Sequence, residues 1–221
     1  MAKEIKIEKK ASEVIQPVTG RDAREAIRAR QDLSGATLCG MELEGLRAAG
    51  SILRKTDLSA ANLSHGLLVN PNLFRASLYG ADVQQTVFLG GDLVRTSFKE
   101  TNLNDTAFIG VNAKEASFKG ANLHNAVFIQ ADLKEADFNS ANLTDARLAG
   151  VNVTGADFTD ASFSGARATN VDWSKAKVPP RDLPAPLFQI PLWAWTVFIG
   201  GMIGILGLII YSRTRKKKTG A

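Results

Sequence analysis

The chain is poor in the residues from which reactive centres are usually built. It has one cysteine, Cys39, and two histidines, His65 and His124, in 221 residues. A single thiol closes no intramolecular disulfide and builds no cysteine metal site, and it is compatible with a reducing compartment. There is no phosphate-cradling glycine loop; the glycines recur instead at fixed intervals, where turns call for positive φ. The opening MAKEIKIEKK carries a charge every residue or two and no apolar run follows, so it does not read as a secretory signal peptide. No clustering of titratable residues marks a nucleophile–base pair. Neither catalysis nor a cofactor is expected. The net charge of +5 also hides its distribution: residues 1–30 carry +3, residues 31–175 carry −4 and residues 176–221 carry +6. The basic character belongs to the two ends, so a nucleic-acid partner is not expected either.

What is present is a period of five. From Gln31 the chain divides into QDLSG, ATLCG, MELEG, LRAAG and onward through TNLND, TAFIG, ANLHN, AVFIQ, ADLKE and ADFNS. Every fifth position from 33 to 173 is nonpolar, giving 29 units whose centres include fifteen Leu and eight Phe. Such a period fits neither the 3.6 of a helix nor the 2 of a strand. It fits a chain that turns a corner every five residues. The residue two before the centre is usually Ala, at 36, 61, 76, 116, 126, 136 and 146 among others. A small side chain is what a narrow interior corner holds at close-packed density.

The unit resembles the A(D/N)Lxx repeat of the pentapeptide-repeat family over about two thirds of the chain. The resemblance implies an all-β fold, a right-handed quadrilateral β-helix with four units per coil. The centre and the residue two before it would point inward and the other three outward. Seven coils at about 4.8 Å give a rod roughly 35 Å long. Residues twenty apart then share a column. Phe88, Phe108 and Phe128 stack on one wall and Phe98, Phe118, Phe138 and Phe158 on the opposite one. The Asn and Asp columns, Asn62 to Asn142 and Asp92 to Asp172, hydrogen-bond along the stack and close turns. His65 and His124 fall about three coils, roughly 14 Å, apart, too far to share a metal. Some members of the family are acidic rods that imitate B-DNA, bind DNA gyrase and confer quinolone resistance. That alternative asks for a strongly negative surface, whereas this repeat region scatters Arg and Lys along its length.

The ends read separately. Residues 1–30 hold an N-terminal segment and a short helical cap, with Asp22 as N-cap of AREAIRAR. Residues 31–175 are the β-helix, closed by the bulky centre Trp173. Residues 176–191 hold five of the seven prolines and read as an extended spacer. Leu192 to Tyr211 is twenty residues without a charge, enough at 1.5 Å rise for about 30 Å of hydrocarbon, with Trp193, Trp195 and Tyr211 at its edges. It is expected to be a transmembrane helix, followed by the basic tail 212–221. Thr196, Gly200 and Gly204 lie four apart and form a candidate helix-association face. No LPxTG sequence precedes the span. The basic tail alone favours a cytoplasmic tail. The absence of a targeting signal and the span's position favour a tail anchor with the repeat region in the cytoplasm, which is the expected topology.

Sorted by column, three outer walls are polar, although Phe74 and Val94 begin one of them, and the fourth is not. After the centres of the fourth wall come Val69, Leu89, Ile109, Ile129 and Ala149; before them come Leu67, Val87, Ala107 and Val127. Arg47 bounds this strip at one end and Arg147 and Arg167 at the other. Its bare apolar area is on the order of 400 Å², the upper range for a monomer. The expected role is a scaffold or recognition rod that binds a protein partner, or a second copy of itself, through this wall.

Overall fold

The computed structural model describes residues 19–186. The chain divides into two compact units between residues 187 and 188. The expected span 192–211, its Thr196–Gly200–Gly204 face and the basic tail lie outside the described residues. Among the described residues no helix is long and apolar enough to cross a membrane.

The period of five becomes four lines of parallel pairing. On one face three-residue strands stack in order: β1 (Arg47–Ala49), β2 (Leu67–Val69), β3 (Val87–Leu89), β4 (Ala107–Ile109), β5 (Val127–Ile129), β6 (Arg147–Ala149) and β7 (Arg167–Thr169). Each pairs with the next at a register of twenty residues. On the other three faces single residues bridge at the same interval, as in Asp32↔Ile52↔Asn72, Ser77↔Ser97↔Ser117 and Asn62↔Asp82↔Asn102. The result is a four-sided parallel β-solenoid of about seven turns.

Whether a face forms strands or turns follows from two outward positions. On the three turn faces the residue before the centre is commonly Asp or Asn, and its Oδ1 accepts the N–H two residues on. Asp57 takes Ser59, Asn142 takes Thr144 and Asp157 takes Thr159 in this way. These are Asx-turns. On the strand face that position is Arg, Leu, Val or Ala, so no such acceptor exists. The residue after the centre is mostly β-branched or aliphatic and stays extended. The residue two after the centre has positive φ in every unit from Gly35 to Asn170, and in seventeen of these units it is not glycine. Each left-handed non-glycine costs on the order of 1 kcal/mol. The geometry aims its N–H at the coil above: Lys55 N–H donates to Phe74 O at 2.8 Å and Glu115 N–H to Lys134 O at 2.8 Å.

The interior is largely apolar and aromatic. Rings of Phe88, Phe108 and Phe128 stack with centroids 5.1 and 4.8 Å apart, and those of Phe98, Phe118, Phe138 and Phe158 at 5.0, 4.7 and 4.9 Å. The two columns also meet edge to face across the interior, as Phe98 does with Phe108 at 5.8 Å. Where the corner position is Thr rather than Ala, its buried hydroxyl donates to a carbonyl of the coil below: Thr96 to Leu73 O at 2.8 Å and Thr106 to Val83 O at 2.9 Å.

Both ends are covered. Helix α1 (Gly20–Arg28) lays Ala23, Ala26 and Ile27 over the first coil. Its N-cap is Thr19, not the expected Asp22. The Thr19 hydroxyl accepts the Asp22 N–H and donates to the Asp22 carboxylate at 2.8 Å, so Asp22 sits inside the first turn, where its charge meets the helix N-terminus. At the far end Trp173 opens a 3-10 turn and packs edge-on against Phe158 and Phe163 at 5.5 and 5.8 Å. The stretch read as a free spacer begins as part of this cap. Lys177 N–H donates to Ala156 O, Val178 pairs with Asp157, Pro180 is buried, and β8 (Ala185–Pro186) adds to β7. The Ala185 N–H donates to Ala166 O at 3.2 Å, so this stretch caps part of the open edge of the last coil.

Candidate protein-binding face

The strand face brings the nine apolar residues of the strip together in two columns. Leu67, Val87, Ala107 and Val127 are register partners along one, and Val69, Leu89, Ile109, Ile129 and Ala149 along the other. All nine alternate with the buried centres Leu68, Phe88, Phe108, Phe128 and Leu148 and point away from the core. Leu89 retains 43% and Ile129 38% of its exposure; the other seven are half-buried by their column neighbours.

The contrast with the other walls has a local cause that sequence columns alone do not reveal. Asn, Asp and Ser on those walls make turns, so their polarity is a requirement of backbone geometry. The strand face needs extended residues, and β-propensity favours Val and Ile there. Propensity does not require them to be apolar. Thr169 fills the outward position of β7, and Arg47, Arg147 and Arg167 fill the matching position of β1, β6 and β7. Polar residues are therefore compatible with this face, and the middle of the strip has none.

The remaining polar surface is largely satisfied by ladders. Asn102 Nδ2 donates to Asp82 Oδ1 at 2.9 Å, Asn142 to Asn122 at 3.0 Å and Asn152 to Asp132 at 3.0 Å. Arg95 grips Glu115 through two nitrogens, at 2.8 and 3.2 Å, and the pair holds the Glu115 carboxyl below its usual range. The Cys39 thiol is exposed. His124 Nδ1 lies 3.9 Å from Asp145 Oδ2, and no group of three metal-ligating residues occurs among the described residues.

Two surface features lie outside the strip, Tyr79 and the arginine contacts of Phe74. Tyr79 is 49% exposed on a turn face and donates to Glu100 at 2.8 Å, which pushes its phenol pKa up. Phe74 carries two guanidiniums over its ring, Arg54 at 5.1 Å and Arg75 at 5.2 Å. Arg54 lies twenty residues from Phe74, so that contact was within reach of the same column logic.

Comparison with known proteins gives matches to two family models. A pentapeptide repeat region model matches residues 81–158, and a model of eight pentapeptide repeats matches residues 32–68; together they span just over half of the chain. Among solved structures the chain is similar to HetL, a pentapeptide repeat protein involved in heterocyst differentiation regulation in the cyanobacterium Nostoc. Identity is 23% over 70% of this chain and 90% of that one, with a TM-score of 0.35. It is also similar to a trypsin-treated form of QnrB1, a plasmid-mediated fluoroquinolone resistance protein, at 22% identity over 67% and 73% of the chains and a TM-score of 0.45. A pentapeptide repeat protein of the Arabidopsis thaliana thylakoid lumen matches at 28% identity over 55% and 74%, with a TM-score of 0.18. No curated protein matches the chain.

Proposed function

The chain belongs to the pentapeptide-repeat family, and from that premise we propose that it is a non-catalytic recognition rod, anchored in a membrane through residues 192–211, whose strand face binds a protein partner. One observation carries the binding role: nine outward apolar side chains stand in two registered columns over five strands, on a face whose end strands accept Arg and Thr. The anchor rests on twenty uncharged residues with aromatic edges and a basic tail. The topology proposed with this anchor puts the repeat region on the cytoplasmic side. The span associates with itself through Thr196, Gly200 and Gly204.

Burying the strip, on the order of 400 Å² at about 25 cal/mol per Å², yields a gross gain near 10 kcal/mol, from which association costs subtract much. A moderate affinity follows. The test is the triple substitution L89N/I109N/I129N in the full chain. These side chains face away from the core, so the circular dichroism of the β-helix should persist while the partner is released. Unfolding of the variant would contradict the outward register; a folded variant that keeps its partner would contradict the binding face.

A further inference from the structure

The two arginines that end the strip identify the chemistry of what covers it. Arg147 and Arg167 are register partners on β6 and β7 and both are exposed. Neither side chain has a hydrogen bond or ion pair among the described residues, whereas nearby Lys175, Lys177 and Arg181 each rest on an aspartate. Like charges on adjacent strands, about 4.8 Å apart, repel. An anion brought to this spot would relieve them, and it would do so at one end of an apolar strip.

We propose that the strand face receives an amphipathic helix of a partner protein whose apolar stripe ends in carboxylates, and that those carboxylates meet Arg147 and Arg167. This rests on the reading of the strand face as the binding face. The face itself holds no carboxylate in either column from β1 to β7. Any two-fold pairing of the face with a second copy would therefore bury arginines without a counter-charge. A broad anionic lipid surface fits poorly as well, because the strip is only two columns wide and the walls beside it are of mixed charge. Asp105 and Asp145 stand before it, and Arg75, Arg95 and Lys114 after it, together with Asp92 and Asp132. A helix, about 10 Å across, lies between those flanks. From β2 to β6 the strip is about 19 Å long, which a helix covers in roughly thirteen residues. The relief suits such a rod: Ala107 makes a shelf between Val87 and Val127, beside the ridge of Leu89, Ile109 and Ile129.

The experiment uses the purified full chain and two fluorescein-labelled eighteen-residue helical peptides. They share one Leu/Ala stripe and differ only in ending with two Glu or two Lys. Fluorescence anisotropy is read at low and moderate salt for the natural chain, R147E/R167E and L89N/I109N/I129N, each checked by circular dichroism. The Glu-ended peptide should bind at least tenfold tighter, lose most of that advantage in salt, and yield it to the Lys-ended peptide on R147E/R167E. Equal binding of both peptides that R147E/R167E leaves unchanged overturns the acid-ended helix and spares the binding face. If neither peptide binds, the acid-ended helix falls; if a peptide binds and its binding ignores L89N/I109N/I129N, the strand face falls with it. Two further results overturn the helix in favour of another occupant. One is a dimer in sedimentation that L89N/I109N/I129N dissolves and the peptides do not displace. The other is a preference for anionic over neutral vesicles that R147E/R167E abolishes while neither peptide is preferred.

Discussion

Removing one ring from the aromatic interior should be among the most damaging changes this fold can receive. Phe108 is fully buried, stacks on Phe88 at 5.1 Å and Phe128 at 4.8 Å, and meets Phe98 and Phe118 edge-on at 5.8 Å each. Phe-to-Ala changes in cores cost about 3–5 kcal/mol, and the spread reflects how far the surroundings collapse. Collapse is blocked here, because backbone pairing on either side holds Phe88 and Phe128 two coil spacings apart. Each ring contact adds roughly 0.5–1.5 kcal/mol beyond area. F108A should therefore fall at the top of the range, at about 4–5 kcal/mol. Leu already occupies fifteen centres, so F108L should cost only about 1–2 kcal/mol. The assay is urea unfolding followed by far-ultraviolet circular dichroism on a protein trimmed to residues 19–186. If F108A costs less than about 1.5 kcal/mol, or F108L costs as much as F108A, the columns are not close-packed as described.

Two glycines separate backbone conformation from crowding. Gly110 has φ +63° with open space where a Cβ would stand, so G110A should cost about 1 kcal/mol; Gly91 has φ +100° with its Cβ position 2.6 Å from Pro71 Cδ and O, so G91A should cost several-fold more. Comparable denaturation midpoints for the two would refute this. The C-terminal cap should loosen in acid. Thr159 donors and Lys177 hold the Asp157 carboxyl below its ordinary pKa, and Ser174 and Lys175 do the same for Asp172. The stabilisation is thus complete above the unfolded carboxylate pKa of about 4 and is lost as pH falls through the lower folded values. Trp173 fluorescence, read in a W193F/W195F background, should report a transition below about pH 4 that D157N weakens; a flat profile would remove the linkage. In a membrane two-hybrid assay, G200L/G204L should abolish self-association of the span. Protease added to sealed cells should spare the repeat region, and digestion there would reverse the proposed orientation.

Much of this architecture was legible because two residues in five are forced inward and one of them, the centre, is always nonpolar. The nonpolar centres set the frame, the twenty-residue columns located both phenylalanine stacks, and the outward columns isolated Leu89, Ile109 and Ile129. Backbone-level choices were harder to read. Positive φ was expected at the glycines, yet Arg75, Glu115 and Glu135 adopt it too, because pairing with the next coil outweighs the cost at each. The difference between the strand face and the turn faces was present in the sequence as Asp or Asn before the centre. It looked like surface chemistry until the Asx-turns were seen. The helix cap moved from Asp22 to Thr19 because the two side chains form one hydrogen-bonded unit, in which spacing alone does not say which residue lies outside the helix. Residues 176–186 looked like a spacer because proline signals extended chain. Extended chain is also what adds to an open ladder.

The most direct test of the account is site-specific photocrosslinking from the full chain in its own membranes. A benzophenone amino acid at position 109, in the middle of the strand face, is compared with one at position 104 on the neighbouring turn face. Position 109 should give a protein adduct that L89N/I129N abolishes, and position 104 should give none. An adduct from position 104 alone, or equal adducts from both, would contradict the strand face as the surface this rod presents.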